Sequence, residues 1–136
     1  MYKRIAMSLI LIYSLPVFSA DWQVVADTRL GQLRLDKASV RKADKLTKAV
    51  LIYEFKDSQK VTKPPYDVFN RREDEVLVDC VQLSLGVAAR RFFEGEKLVS
   101  SFALKESDIK FNPSVPDTMS ETVVVAVCAA ALDKRL

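Results

Sequence analysis

The sequence predicts an α+β fold in which a series of extended segments is closed by one C-terminal helix. Three observations carry that prediction. Short runs of β-branched and aromatic residues, separated by turn-forming residues, recur from Trp22 to Phe102. Thr118-Met119-Ser120-Glu121 has the spacing of a helix-capping box and opens the valine- and alanine-rich run to Asp133. The two cysteines, Cys80 and Cys128, fall one in the central extended run and one in that last segment.

The N-terminus sets the compartment. Lys3 and Arg4 precede an apolar core from Ile5 to Leu15, Pro16 breaks it, and Ser19 and Ala20 are small. This is the layout of a secretory signal peptide. Cleavage after Ser19 or after Ala20 fits, the first placing Val17 and the second Phe18 at the upstream recognition position. The apolar run falls short of the roughly 20 residues that span a bilayer, and no cysteine follows it for lipid attachment. The expected organisation is a leader, residues 1–20, and one domain, residues 21–136, with no transmembrane segment in the mature chain. The product is exported, to the periplasm or to the cell exterior and surface, without a lipid anchor.

The leader also distorts the charge. Lys+Arg 21 against Asp+Glu 18 gives +3, and removing Lys3 and Arg4 leaves +1. A near-neutral mature chain lacks the basic excess that nucleic acid demands. In an oxidising compartment the one intramolecular pairing available is Cys80–Cys128. Closing so long a loop is worth about 4 kcal/mol.

Each element follows from local chemistry. Asp21 to Ala26 places Trp22 and Val24 on one side of a first strand, and Asp27 to Gly31 reads as a turn. Gln32 to Asp36 alternates polar and apolar, the mark of a half-buried strand. Lys37 to Lys48 is polar and basic and is expected to be a solvated loop. Ala49 to Phe55 is rich in strand formers. Thr62-Lys63-Pro64-Pro65-Tyr66 reads as stiff and extended, part of a long connection up to Glu75.

Glu75 to Gly86 is expected to be one central strand whose apolar phase shifts beside Asp79-Cys80. Either a bulge re-aims it there, or each face is buried along half its length. Gln82, Ser84, Gly86 and Ala88 then leave room for the helix to lie close. Arg90 to Phe93 continues the run, Glu94-Gly95-Glu96 turns it, and Lys97 to Phe102 returns as a hairpin partner. Leu104 to Asp117 is a loop broken by Pro113 and Pro116. The helix runs from about Met119 to Asp133, with Lys134 and Arg135 at its negative end. Apolar nearly all round, it must be covered.

Catalytic chemistry finds little support. There is no histidine, so the usual general base and the commonest transition-metal ligand are missing. A disulfide removes both thiols, and three glycines make no phosphate-cradling loop. Asp79 is the one acid inside an apolar strand and reads as a structural carboxylate bonded to backbone amides or an arginine. The expectation is no enzyme, no cofactor and no metal. Three basic clusters remain, interleaved with acids. Arg90 and Arg91 with Lys97, beside Phe92-Phe93, form the best partner-binding candidate because aromatic residues adjoin the charges.

The layout resembles the bacterial surface-adhesin E family. The matching features are the leader, Trp22 near the mature start, the Asp79-Cys80 pair on a strand, a basic hairpin after it, and Cys128 in a last apolar segment. The resemblance implies a roughly six-stranded antiparallel sheet with a C-terminal helix packed on it and disulfide-linked to it. It further implies a non-enzymatic protein of a Gram-negative envelope that binds host extracellular-matrix or plasma proteins, here through Arg90, Arg91, Phe92 and Lys97. The alternative is a periplasmic accessory module that binds another envelope protein or a small apolar ligand on the sheet.

Overall fold

Side-chain alternation builds the sheet that organises the chain. A computed structural model describes residues 20–134; the predicted leader, apart from Ala20, and Arg135 lie outside the described residues. In chain order the elements are β1 (Trp22–Asp27), β2 (Gly31–Ala43), β3 (Leu46–Lys60), β4 (Val68–Asp79), β5 (Ser84–Glu94), β6 (Lys97–Ala103), β7 (Asn112–Pro113) and α1 (Met119–Asp133). β1 to β6 pair antiparallel in sequence order, and the two-residue β7 adds to the start of β5. The fold is therefore the expected antiparallel six-strand sheet plus one C-terminal helix.

The helix covers one face. Leu33 and Leu35 of β2, Ala49, Leu51 and Tyr53 of β3, and Val76 and Val78 of β4 form a core with Val123, Val124, Val127 and Ala130 of α1. The spacing of two along each strand and of three to four along the helix is what lets both elements present an apolar side there. Cys80 and Cys128 are bonded, with Cα atoms 5.9 Å apart across a separation of 48 residues. At the far end of the helix, Lys134 Nζ donates to the carbonyl oxygen of Val40 at 2.6 Å.

Five local expectations need correction. The basic run Lys37 to Lys48 is strand: β2 continues to Ala43 and β3 begins at Leu46. A register shift between Asp36 and Arg41 interrupts the alternation. Ser39 fills the irregularity, its hydroxyl donating to Asp36 O and accepting from Val50 N–H. Past it, Val40 and Thr47 are buried.

The proline segment is a turn, with a cis Pro64–Pro65 bond and a 2.9 Å bond from Tyr66 N–H to Lys63 O. β4 starts directly after it at Val68, so the long connection shrinks to residues 61–67.

The supposed central strand is two strands. β4 ends at Asp79, residues 80–83 turn, and β5 begins at Ser84. Asp79 Oδ1 accepts from Val81 N–H at 3.0 Å and Gln82 N–H at 2.9 Å, and Leu83 takes φ 53°. The turn resets the side-chain phase, so Leu85 and Val87 pack on the helix side. Gly86 lies on the opposite face, where a Cβ would sit 2.7 Å from Ile109 Cγ2 and 3.3 Å from Phe111 Cδ1. Its missing side chain admits the 109–111 segment and leaves the helix untouched.

The helix begins where the capping box placed it, with different bonding. Thr118 is the N-cap without a side-chain cap bond, and its hydroxyl donates to Val115 O at 2.6 Å. Nor is the helix covered all round. Val125 and Leu132 are exposed, on the side away from Val124 and Val127.

Candidate functional site

Beyond the helix, the same face of the sheet stays open at its β4–β6 end. Cross-strand register carries the core rows outward: Leu51 pairs with Asp74, Asp74 with Arg90, and Arg90 with Phe102. One row on, Tyr53 pairs with Arg72, Arg72 with Phe92, and Phe92 with Ser100. The helix-side face thus changes from aliphatic to aromatic and charged as it leaves the helix.

The aromatic row is continuous. Ring centroids lie 4.3 Å apart for Tyr53 and Phe55, 5.6 Å for Phe55 and Phe69, and 4.7 Å for Phe69 and Phe92, the last two within the range of favourable edge-to-face pairs and the first slightly closer. Beside it Asp74 is buried between two arginines. Arg90 grips it with both ends of its fork, Nε to Oδ1 at 2.7 Å and Nη2 to Oδ2 at 3.0 Å. Arg72 Nε stands 3.2 Å from Oδ2 but points off the line of a hydrogen bond. Its guanidinium lies 5.7 Å from the Tyr53 ring centroid and 6.0 Å from that of Phe55. Burial lowers the pKa of Arg72; Asp74 opposes the shift and the neighbouring Arg90 charge adds to it. The guanidinium nonetheless remains a cation.

Residues 61–67 overhang this floor. All of them but Tyr66 join Arg90, Phe92, Ser100, Phe102 and Leu104 in lining a trough of about 600 Å³, walled by Pro64 and Pro65. A second trough of about 630 Å³ begins at the same Phe102 and Leu104 and runs past Leu85 and Val87 to Pro113 and Val115. Phe102 and Leu104 are exposed between them. The arrangement suits contact burial of an apolar or aromatic surface. Among the described residues no group of His, Cys, Asp or Glu is placed to hold a metal ion.

The four residues singled out from sequence separate. Arg90 and Phe92 line the first trough. Arg91 lies on the opposite face, 3.3 Å from Glu73 Oε1. Lys97 is exposed at the start of β6, across from Glu94. Sequence reasoning missed Phe102, Leu104 and the proline turn. Their signal was the Pro-Pro pair, which reads equally well as a spacer until the register brings β6 beneath it. Asp79 lies in the β4–β5 turn, where its carboxylate is occupied by backbone amides.

The opposite face is zipped by ion pairs. Arg34 pairs with Glu54, Lys48 with Glu75, and Arg91 with Glu73. Arg71 stacks over Phe93 at 4.4 Å.

Comparison with known proteins finds a family and similar solved structures. A family model described as surface-adhesin protein E matches residues 22–129. Among solved structures, Haemophilus influenzae protein E aligns with TM-score 0.56 at 13% identity, covering 79% of this chain and 83% of that one. A second crystal form gives 0.53 at 14% identity, covering 71% and 80%. Protein E from non-typeable Haemophilus influenzae gives 0.54 at 12%, covering 85% and 82%. No curated protein sequence matches.

Proposed function

The chain belongs to the surface-adhesin protein E family, and from that premise we propose an exported, non-enzymatic binding protein that contacts host extracellular-matrix or plasma proteins. Residues 1–20 act as its leader and residues 21–136 as its binding domain. The observation that carries the reading is the trough under Pro64 and Pro65, floored by Phe92 and Phe102. Aromatic side chains in a concave, partly desolvated setting are what concentrates binding energy at protein interfaces. Arg90 and Arg91 support the surface as spacers between strands, since both charges are engaged by carboxylates. Phe92 and Phe102 make the contact, and Lys97, exposed at the start of the same strand as Phe102 and in no ion pair among the described residues, adds a cation.

Binding of the native protein to immobilised matrix and plasma proteins tests this. Phe102→Ala should weaken it about tenfold or more, the loss typical of an aromatic anchor, with unfolding unchanged. Unaltered binding in that variant, or native protein confined wholly to the periplasm, would defeat the proposal.

A second reading rests on the second trough, whose Leu85, Val87, Phe102, Leu104, Pro113 and Val115 present apolar surface. In it the protein is a periplasmic accessory module that holds a small apolar ligand or another envelope protein there. Periplasmic fractionation together with saturable uptake of an apolar fluorescent dye, lost in Val87→Asp, is the outcome that selects it.

A further inference from the structure

The outer edge of β6 borders both troughs. β6 ends the strand order, and among the described residues no backbone hydrogen bond reaches its outer side. Which groups it offers follows from pairing. Leu104 N–H donates to Ala88 O at 2.8 Å, and the register continues through Arg90 with Phe102 and Phe92 with Ser100. Alternation in an antiparallel pair then directs the N–H and C=O of Phe102 and Ser100 toward β5 and those of Ser101 and Ala103 outward.

Edges of this kind are usually blunted by proline, by inward-pointing charge, by a bulge or by a cover. At the opposite end of the sheet, β1 is broken at its middle by a register shift between Val24 and Ala26. β6 is irregular only near its start, around Val99, and is regular from Ser100 to Ala103 with neither charge nor proline.

We infer that β6 is an augmentation edge: an extended segment of a partner polypeptide adds beside it as a further strand. The segment's amides pair with Ser101 and Ala103, and alternate side chains enter the two troughs that flank Phe102. This deepens the protein-binding reading and rests on it. The side chains define the partner's chemistry. Toward the second trough they are apolar, to match Leu85, Val87 and Val115. The first trough is lined by two cations, Lys63 and Arg90, against one carboxylate, Asp67. That end accepts one acidic residue. Main-chain bonds supply the affinity and the alternate pockets the selectivity.

Proline substitution separates the edge from the fold, because proline is tolerated on an edge strand where its N–H would face solvent. The probe is a fluorescein-labelled short peptide that alternates threonine with valine and phenylalanine and carries one terminal glutamate. Its N-methylated counterpart, which cannot donate from the edge-facing amides, is the control. Fluorescence anisotropy should show saturable binding of the first peptide and none of the second. Ala103→Pro and Ser101→Pro should weaken binding about tenfold, as the loss of one or two main-chain hydrogen bonds requires. Their circular dichroism and melting should remain those of the parent, and Phe102→Pro, which removes a bond to β5, should lower the melting temperature.

Equal binding of the N-methylated peptide, or full binding by Ala103→Pro, overturns the edge proposal. If matrix-protein binding then persists and still fails in Phe102→Ala, the broader reading survives without it. A parent protein that dimerises in sedimentation and becomes monomeric in Ala103→Pro also overturns it, because the edge would belong to a second copy.

Discussion

Asp74 is the residue on which the open end of the sheet depends. It is buried, while the side chains of Arg72 and Arg90 are 27% and 26% exposed. Removing the carboxylate leaves two cations side by side with little water to screen them. Asp74→Ala should therefore cost about 3 kcal/mol, the low end for breaking a buried pair, read as a fall in the urea midpoint at unchanged slope. Glu73→Ala on the opposite face, where Arg91 is 52% exposed, should cost under about 1 kcal/mol. Similar losses in both variants would mean that the triad is more solvated than its packing indicates. The sequence hides this contrast, since Glu73, Asp74, Arg90 and Arg91 look alike until strand register sends alternate residues to opposite faces. The turn after Asp79 was hidden in the same way. It uses a carboxylate and a leucine at φ 53° where glycine or asparagine is the usual sign. Leu83→Gly relieves that left-handed conformation and should stabilise the protein by about 0.5 kcal/mol, measured by the same titration.

Helix α1 was legible almost to the residue, whereas the strands were legible in their apolar halves alone. Thr118, the alanines and Asp133 mark the helix by composition and spacing, both local properties. Strand ends depend on partners: Lys37 to Lys48 forms the far half of a hairpin because Val40, Thr47 and Ala49 are buried against other elements, and nothing in the run itself says so. The troughs were illegible for the same reason, being assembled from β5, β6 and a turn between β3 and β4. What holds α1 to the sheet is one apolar stripe, the Lys134 contact and the disulfide. Among the described residues no ladder of backbone bonds shares the load. Replacing Cys80 and Cys128 together by serine should cost about 4 kcal/mol at the global transition. Amide exchange should rise first in residues 119–133, because a helix docked by side chains opens before a hydrogen-bonded sheet. Equal acceleration in β3 and β4 would show that helix and sheet unfold as one unit.

Across the whole molecule, charge is arranged for neutrality, and for the binding role proposed above this governs how a partner is held. Three ion pairs lace the face opposite the helix, and Asp74 gathers two more arginines on the helix side. Residues 21–136 carry a net +1. Such a surface generates little long-range field, and at physiological salt what remains is screened within about 8 Å. Steering of an acidic partner is thus a minor contribution, while Phe92, Phe102, Leu104 and the proline wall offer apolar contact that salt does not screen. Basic sequence clusters alone point the other way, toward binding that salt disrupts. The paired geometry predicts that raising NaCl from about 50 to about 500 mM changes the affinity for an immobilised matrix protein less than about threefold, mostly in the association rate. Phe102→Ala should act chiefly on dissociation, as loss of a buried contact does. A fall of tenfold or more with salt would move the interface from the troughs to lysines outside them that make no ion pair among the described residues, such as Lys45, Lys56 and Lys105. Substituting those three by glutamine would then abolish the salt dependence and the binding together, whereas the trough model expects that variant to bind nearly as the parent does.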